Sequence, residues 1–211
     1  MSSLTRVPSA QPRTPRAERS RQRILDAAGQ CFAQSGYAKT TVEQVASRAA
    51  VSKGLVYHHF GNKEQILDDV VERTLVEWEA VSQVETIASG GSVLEGIASM
   101  HRASTAYARS NPALRALIDL DSGFLLNARA GQAVRDSMSR LRSALIDAVQ
   151  VGIASEELRG DLPLPHTADV ILVHHLAVIQ HTLDPEWVEI SEELIEVGID
   201  VLLRGLARSP E

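Results

Sequence analysis

The chain contains a single cysteine, few aromatic residues and no long hydrophobic run. One cysteine, Cys31, excludes a framework of disulfides within the chain. No apolar segment approaches the roughly 20 residues that a membrane-spanning helix needs. The amino terminus is rich in serine, proline and arginine and lacks the apolar core of a secretory signal. These absences predict a cytoplasmic protein.

Sequence motifs of the common catalytic sites are absent as well. The chain has no GxSxG nucleophile turn, no phosphate-binding glycine loop, no HExxH and no CxxC. We therefore expect neither an enzymatic activity nor a bound cofactor.

Charge is distributed unevenly along the chain, whose net charge is -6. Residues 1–65 carry ten basic and four acidic side chains, whereas the rest of the chain carries 11 and 23. A basic front segment on an acidic body suits a protein whose small front domain contacts phosphate. Chance asymmetry is the alternative interpretation.

Helical periodicity runs through the sequence, and no segment shows the two-residue alternation of a half-buried strand. The predicted helices cover 17–34, two short segments within 41–60, 66–88, 93–109, 112–120, 128–154, 167–183 and 187–207. The predicted fold class is therefore all-α, with a three-helix helix-turn-helix head and a helical body, about nine helices in total.

Three helix-initiation signals lie within about two dozen residues. Thr41 with Gln44 is predicted to form a capping box, in which each side-chain oxygen accepts from the other residue's backbone N–H. Ser52 caps the next helix, and Asn62 with Gln65 repeats the first pattern. This density of caps predicts a compact head made of short helices.

The chain divides into three predicted segments. Residues 1–16 have no periodicity and are expected to form a disordered basic arm. Its arginines could reach into a minor groove, or the arm could be a solvated tail. Residues 17–64 form the predicted DNA-binding head, and residues 65–211 form a body for ligand binding and dimerisation.

The second helix of the predicted helix-turn-helix has a polar face formed by Lys53, Gly54, Tyr57 and His58. These positions share one side by helical spacing. Lysine, tyrosine and histidine can donate to phosphates or base edges, and glycine lets the backbone approach the DNA wall. The alternative for the tyrosine and the histidine is a contact between head and body.

Three further residues lie where a helix begins and could meet a phosphate. Thr40 and Thr41 precede the first helix of the motif, where free amides and the helix dipole favour an anion. Lys63 occupies the same position at the start of the following helix.

Residues 18–78 resemble the amino-terminal domain of the TetR family of bacterial transcriptional regulators. The resemblance is carried by RILDAAGQCFAQSGYAKTTVEQVASRAAVS and KGLVYHHFGNKEQIL. It implies a homodimer that binds a palindromic operator of double-stranded DNA through a helix-turn-helix at about 41–60. It also implies a helical body that holds a small-molecule effector and the dimer interface. By position, the residues matching common DNA contacts are Thr40, Thr41, Lys53, Gly54, Tyr57, His58 and Lys63, with Tyr37 and Arg48 as secondary candidates.

Two positions depart from the family pattern. Ala50 stands where the family usually has glycine, because that turn favours a backbone conformation that is costly for a residue with a Cβ. Leu55 stands where many members have a small or hydroxyl residue, so one phosphate contact is expected to be missing.

The two carboxy-terminal helices, 167–183 and about 187–207, are apolar on more than one face. A helix that is apolar on most sides is buried on most sides. The resemblance implies that they pair with their twofold mates as a four-helix bundle, and burial inside one subunit is the alternative.

Ligand-binding candidates are the polar and aromatic residues that interrupt apolar faces of the body. They are Trp78, His101, Arg102, Tyr107, Phe124, Asn127, His174, His175 and His181. A zinc site would need further ligands at suitable spacing, and none is evident, so we predict no metal site. A histidine of the interface or the pocket is the simpler interpretation of the 174–175 pair. Cys31 lies on the apolar side of its helix, which favours a core role over redox sensing.

The leading hypothesis is a ligand-responsive repressor. A transcriptional activator of the same fold and a helical protein-interaction module without DNA binding are the alternatives.

Overall fold

The structure is a computed structural model that describes residues 15–83, 87–89, 91–118, 129–183 and 191–208. These ranges contain nine α-helices and no β-strand, which confirms the predicted all-α class. The helices are α1 (Pro15–Lys39), α2 (Val42–Arg48), α3 (Lys53–Phe60), α4 (Lys63–Ser82), α5 (Val93–Ser110), α6 (Pro112–Ile118), α7 (Arg129–Ala154), α8 (Leu164–Leu183) and α9 (Ser191–Leu206). In these ranges no helix is long and apolar enough to span a bilayer.

The head is formed by α1, α2 and α3 around a small apolar core. Ile24 and Phe32 of α1 pack with Val45 of α2 and with Val56 and Phe60 of α3, and all five are nearly inaccessible to solvent. Because α2 and α3 are too short to be stable alone, this shared core holds their relative orientation.

All three predicted caps are present. The Thr41 side chain accepts from the backbone of Gln44 at 3.2 Å, and the Gln44 side chain accepts from the Thr41 backbone at 2.8 Å. Ser52 accepts from the backbone three residues on at 3.2 Å. Asn62 accepts from the backbone of Gln65 at 2.8 Å. These bonds satisfy amides that the first turn of a helix otherwise leaves open. The Asn62 amide donates to the carbonyl of Phe60 at 2.8 Å and not to the Gln65 side chain, so the second predicted capping box is only half formed.

The turn between α2 and α3 has the strained conformation that the sequence predicts. Ala50 has a φ of 52°, in the left-handed region. The turn closes with Ala50 donating to Ser47 at 3.1 Å and Val51 donating to Ala46 at 3.0 Å. The Cβ of Ala50 therefore carries a steric cost that glycine would not have.

Replacing Ala50 with glycine is expected to raise the free energy of unfolding by about 1 kcal/mol, since it removes this cost. Chemical denaturation measures the change. The neighbouring Ala49, with a φ of -71°, is the matched control. Glycine there is expected to lower stability, by roughly 0.5–1 kcal/mol. An Ala50→Gly protein no more stable than the native chain would contradict the argument.

The end of α4 differs from the prediction of a helix that runs to residue 88. The helix ends at Ser82, and Gln83 follows in a left-handed conformation with a φ of 50°. The buried Ser82 hydroxyl donates to the carbonyl of Trp78 at 2.6 Å and pairs with the Ser104 hydroxyl of α5. The helix thus ends where Ser82 contacts α5. The sequence has no glycine at this point that would predict the end of the helix.

α1 runs to Lys39, past the predicted end at 34, but its backbone is kinked at Gly36, which has a φ of 73°. Other boundaries agree to within a few residues. α8 begins three residues before the predicted start at 167, and α7 begins one residue after the predicted start at 128. Residues 15 and 16, predicted as part of the arm, belong to α1. The rest of the arm and the predicted helical residues 119–120, 128 and 187–190 lie outside the described residues. The predicted domain boundary at 64 falls in the first turn of α4 and stays a prediction.

The body is a bundle in which α4, α5, α7 and α8 surround a continuous core. Met100, Leu145 and Ile171 are fully buried between these helices, and α9 packs on α5 and α8. The short α6 packs against α1 of the head at Gly29, where an added Cβ would lie 2.9 Å from the Cβ of Ala113. Head and body are thus joined by this close contact and by the continuous α4.

Candidate nucleic-acid interface and effector cavity

The structure places the four predicted residues of α3 on one exposed face, which we call the recognition face: Lys53, Gly54, Tyr57 and His58. The Tyr57 side chain is 43% exposed although it is large and aromatic. The ammonium of Lys53 lies 5.7 Å from the centre of the Tyr57 ring. The buried side of the same helix carries Val56 and Phe60, so the polar face is left for a partner.

Gly54 leaves a gap in the middle of this face. A Cβ added there would meet only the Ser52 hydroxyl oxygen, at 4.0 Å, so no close packing within the protein requires a glycine. The missing side chain allows a partner's backbone to approach α3 closely.

Sequence reasoning missed Glu43 of α2, whose carboxylate forms an ion pair with Lys53. The hydrogen bond from Lys53 lowers the pKa of Glu43 below its ordinary value, and the same bond raises the pKa of Lys53. The predicted contact of Lys53 with a phosphate or a base edge would require its ammonium to leave this carboxylate. The sequence signal was an acid in the first turn of α2 and a base in the first turn of α3.

Thr40 is engaged within the head, and its predicted contact with DNA stays a prediction. It is 2% exposed, and its hydroxyl donates to the carbonyls of Gly36 at 2.9 Å and Cys31 at 3.1 Å. Its backbone amide donates back to α1 as well. Thr40 thus closes the end of α1. Thr41 is exposed, but its side chain and amide are engaged in the capping box.

Lys63 is likewise engaged within the head, and its predicted phosphate contact stays a prediction. Its ammonium donates to the carbonyls of Tyr37 at 3.0 Å, Ala38 at 3.3 Å and Thr40 at 3.0 Å. It also lies 4.4 Å from the centre of the Tyr37 ring. Open carbonyls at the end of a helix attract a cation, and here all three ammonium protons have an acceptor.

The secondary candidate Arg48 donates to Gln34 of α1 at 2.6 Å and stays exposed. Cys31 is buried, and burial raises the pKa of its thiol. This placement agrees with a core role.

Ion pairs tie α1 of the head to α4. Arg21 pairs with Asp69 at 2.5 Å, and Arg73 pairs with Asp26 at 2.7 Å. With the Lys63 contacts, they fasten the first three turns of α4 to the head.

In the body, the structure brings together Trp78, His101, His174 and the adjacent His175. His101 Nδ1 donates to the carbonyl of Ile97 at 2.8 Å, so its Nε2 accepts from His174 Nδ1 at 3.0 Å. Burial lowers the pKa of His101 to about 4 and the pKa of His174 and His175 below the ordinary value. These imidazoles are therefore neutral at physiological pH. In the described residues, no group of three potential ligands is arranged to hold a metal ion.

Two ligand candidates connect helices and do not line the cavity described below, so their predicted role in ligand binding stays a prediction. Arg102 pairs with Glu196 of α9 at 3.2 Å in an exposed position. Tyr107 donates to Glu77 of α4 at 2.9 Å. The pKa of the Tyr107 phenol is raised mainly by burial and further by this hydrogen bond. His181 is exposed at the end of α8.

Phe124 and Asn127 lie outside the described residues, so their predicted role stays a prediction.

A cavity of about 640 Å³ opens between α4 and α7. Its apolar wall is formed by Val76, Trp78, Ala80, Ala88, Leu141 and Ala144. Polar residues are Glu79, Gln83, Arg140, Ser143 and Asp147. Sequence reasoning identified Trp78 and missed the rest, because small and aliphatic residues at helical spacing are also what a core contains.

The outer faces of α8 and α9 expose a row of large aliphatic side chains. They are Val170, Val173 and Leu176 on α8 and Leu194, Val197 and Val201 on α9. The spacing of three or four residues places each set on one side of its helix. Several large aliphatic side chains exposed on two helices are typical of a protein–protein interface.

The chain is similar to known proteins both in its head and over its whole length. Residues 24–70 match the model of bacterial regulatory proteins, tetR family. The chain is 27% identical to the HTH-type transcriptional repressor KstR2 of Mycolicibacterium smegmatis, over 94% of this chain and 96% of that protein.

Two solved structures share the fold. The SmeT–triclosan complex gives a TM-score of 0.73 at 20% identity, over 90% of this chain and 93% of that chain. KstR2 of Mycobacterium tuberculosis gives 0.70 at 21% identity, over 90% and 95%. Together with the observed helix-turn-helix, the match over residues 24–70 identifies the head as the DNA-binding domain of the TetR family of bacterial transcriptional regulators, and the similarity to KstR2 extends over the body.

Proposed function

We propose that this protein is a cytoplasmic, non-enzymatic repressor that binds a palindromic operator as a homodimer and releases it when a small molecule occupies the body. The recognition face carries the proposal, because it combines exposed hydrogen-bond donors with the gap at Gly54. A helix with this surface fits a major groove, where side chains reach base edges and phosphates.

The exposed aliphatic rows of α8 and α9 support the dimer. Twofold pairing of these helices would bury both rows, and a twofold axis presents two heads to two half-sites. Half-sites one helical turn apart are separated by about 34–36 Å. Two linked weak contacts then give one tight and sequence-selective complex.

Repression and ligand response are supported by the relatives. KstR2 is named as a repressor, and SmeT has been solved with triclosan. In this chain α4 runs from the carbonyls held by Lys63 to Trp78 in the wall of the cavity. A ligand that shifts α4 would change the distance between the heads. A coupling of about 1–3 kcal/mol would weaken operator binding about 5–150-fold.

Gly54→Ala is expected to weaken operator binding about tenfold while leaving the fold intact or more stable. The added methyl has open space in the free protein, and alanine favours a helix by roughly 0.5–1 kcal/mol over glycine. In the complex it would occupy the gap that the DNA wall needs. The DNA is selected from a random duplex pool by the wild-type protein, and affinity is measured by mobility shift.

Gly160→Ala is the matched control, because Gly160 is exposed, has nothing within 4 Å of an added Cβ and lies in a turn of the body. It should leave binding unchanged. Selection should enrich an inverted repeat. A pool that is not enriched, or a Gly54→Ala protein that binds as tightly as the wild type, would contradict the proposal.

A further inference from the structure

Four polar atoms in the core of the body lack a hydrogen-bond partner within the described part of the chain. They are Thr74 Oγ1, Trp78 Nε1 and both ring nitrogens of His175. The three side chains are at most 2% exposed. A buried polar group without a partner is costly, and most buried groups in proteins have one.

The neighbouring polar groups are satisfied, so the missing partners are confined to one place. His101 bonds to Ile97 and to His174, and the hydroxyls of Ser82 and Ser104 bond to each other at 2.7 Å. The His175 ring lies next to both His101 and Trp78. Its centre is 4.8 Å from that of His101, in an edge-on arrangement, and 5.8 Å from that of the Trp78 ring, on which it stacks. Thr74 precedes Trp78 by one helical turn and therefore lies on the same face of α4. We call Thr74, Trp78 and His175 the orphan cluster.

The orphan cluster borders the cavity. Trp78 belongs to the cavity wall and also stacks on His175. A molecule in the cavity thus contacts the residue whose indole N–H has no acceptor. An oxygen atom that enters between the two rings would open the stack and reach both Trp78 Nε1 and His175.

Every member of the orphan cluster is uncharged. An indole N–H can only donate, a neutral imidazole has one donor and one acceptor, and a hydroxyl can do either. The cations of the surrounding helices are paired at more exposed positions: Arg140 with Glu79 at 2.7 Å, and Arg102 with Glu196. No buried cation within the cluster would compensate an anionic headgroup, and no carboxylate within it would compensate a cation.

Building on the proposed repressor, we propose that its effector is a neutral, mainly apolar molecule with a carbonyl or hydroxyl oxygen, bound by Trp78 and His175. The apolar part would occupy the wall formed by Val76, Leu141 and Ala144. The oxygen supplies the acceptor that Trp78 Nε1 lacks, and a hydroxyl can also donate to His175. Binding at Trp78 acts on α4, about 22 Å along the helix from Lys63.

The assignment is tested on the full-length chain by NMR of the indole N–H groups. The chain has two tryptophans, and Trp78→Phe identifies the signal of residue 78. The probes share one carbon chain and differ in headgroup: 2-decanone, 1-decanol, decanoate and decylammonium. The ketone and the alcohol should shift the Trp78 signal downfield and bind about tenfold or more tightly than either ion.

His175→Phe should weaken ketone binding about tenfold, since it removes the ring nitrogens but keeps an aromatic ring against Trp78. Its thermal midpoint should not fall, because two unpartnered nitrogens leave the core. His166→Phe on the exposed first turn of α8 is the matched control and should bind the ketone as the wild type does. If His175→Phe does not fold, Trp78→Phe provides the same test through the calorimetric affinity.

An ion that binds as tightly as the ketone, a ketone affinity unchanged by these substitutions, or no response to any probe would overturn the assignment. Operator binding of the unliganded protein is measured in parallel. If the protein binds the operator but no probe shifts the Trp78 signal, the effector assignment is wrong and the proposed repressor function stands. If a probe shifts the signal but the protein does not bind DNA, the repressor function is wrong and the ligand site stands.

Discussion

Val173→Glu is expected to convert the protein into a monomer and to weaken operator binding about a hundredfold or more. Val173 is the most exposed aliphatic residue of the α8 row, at 66%. In the proposed dimer, two new carboxylates would be buried near the twofold axis without a partner, which costs several kcal/mol. A monomer also loses the gain from linking two half-site contacts, which is about 10²–10⁴-fold. Light scattering gives the oligomeric state, and mobility shift gives the affinity.

Val151→Glu is the matched control for this experiment. Val151 is 39% exposed and belongs to α7, so it is part of neither the α8 and α9 rows nor the cavity wall. The same change of charge and size should leave a dimer that binds the operator. If Val173→Glu remains dimeric, or if both variants become monomers, the proposed interface is wrong.

The local structure of the head could be predicted because its signals are short in range. Thr41, Ser52 and Asn62 accept from amides three residues away, so the local sequence pattern alone is enough to predict each hydrogen bond. The strain at Ala50 could be anticipated as well, from a turn whose geometry depends on four residues. Helix type and approximate length followed from the apolar spacing.

Contacts between distant segments could not be predicted in this way. Lys63 has the position and charge of a phosphate ligand, yet its ammonium is held by carbonyls more than twenty residues earlier in the chain. Thr40 is polar and precedes a helix, yet its hydroxyl turns back to α1. In both cases a helix end with open carbonyls lies close in space, and the sequence contains no local sign of it.

The body shows the same limit for its ligand site. Trp78, His101 and His174 stood out as polar or aromatic interruptions of apolar faces, and the structure brings them together. Arg102 and Tyr107 have the same sequence signature, but they connect α5 to its neighbours. The rotation of α4, α5 and α8 about their axes decides which of these polar and aromatic residues come into contact. Hydrophobic periodicity alone does not predict that rotation.

Tyr57→Ala is expected to weaken operator binding about thirtyfold and to leave the folded head unchanged. The side chain is 43% exposed and its ring centre lies 5.7 Å from the Lys53 ammonium, so little packing within the head is lost. Each half-site would lose a hydroxyl bond to phosphate and a ring contact with the groove, roughly 1 kcal/mol per copy and twice per dimer. Tyr57→Phe retains the ring and should lose about half of this free energy.

The salt dependence of binding separates the role of Tyr57 from that of Lys53. Loss of a hydrogen bond from a neutral hydroxyl leaves the slope of log affinity against log salt unchanged. Lys53→Gln should reduce that slope by about two for the dimer, because each copy loses one charged phosphate contact. A Tyr57→Ala protein that binds as the wild type does would remove α3 from the interface.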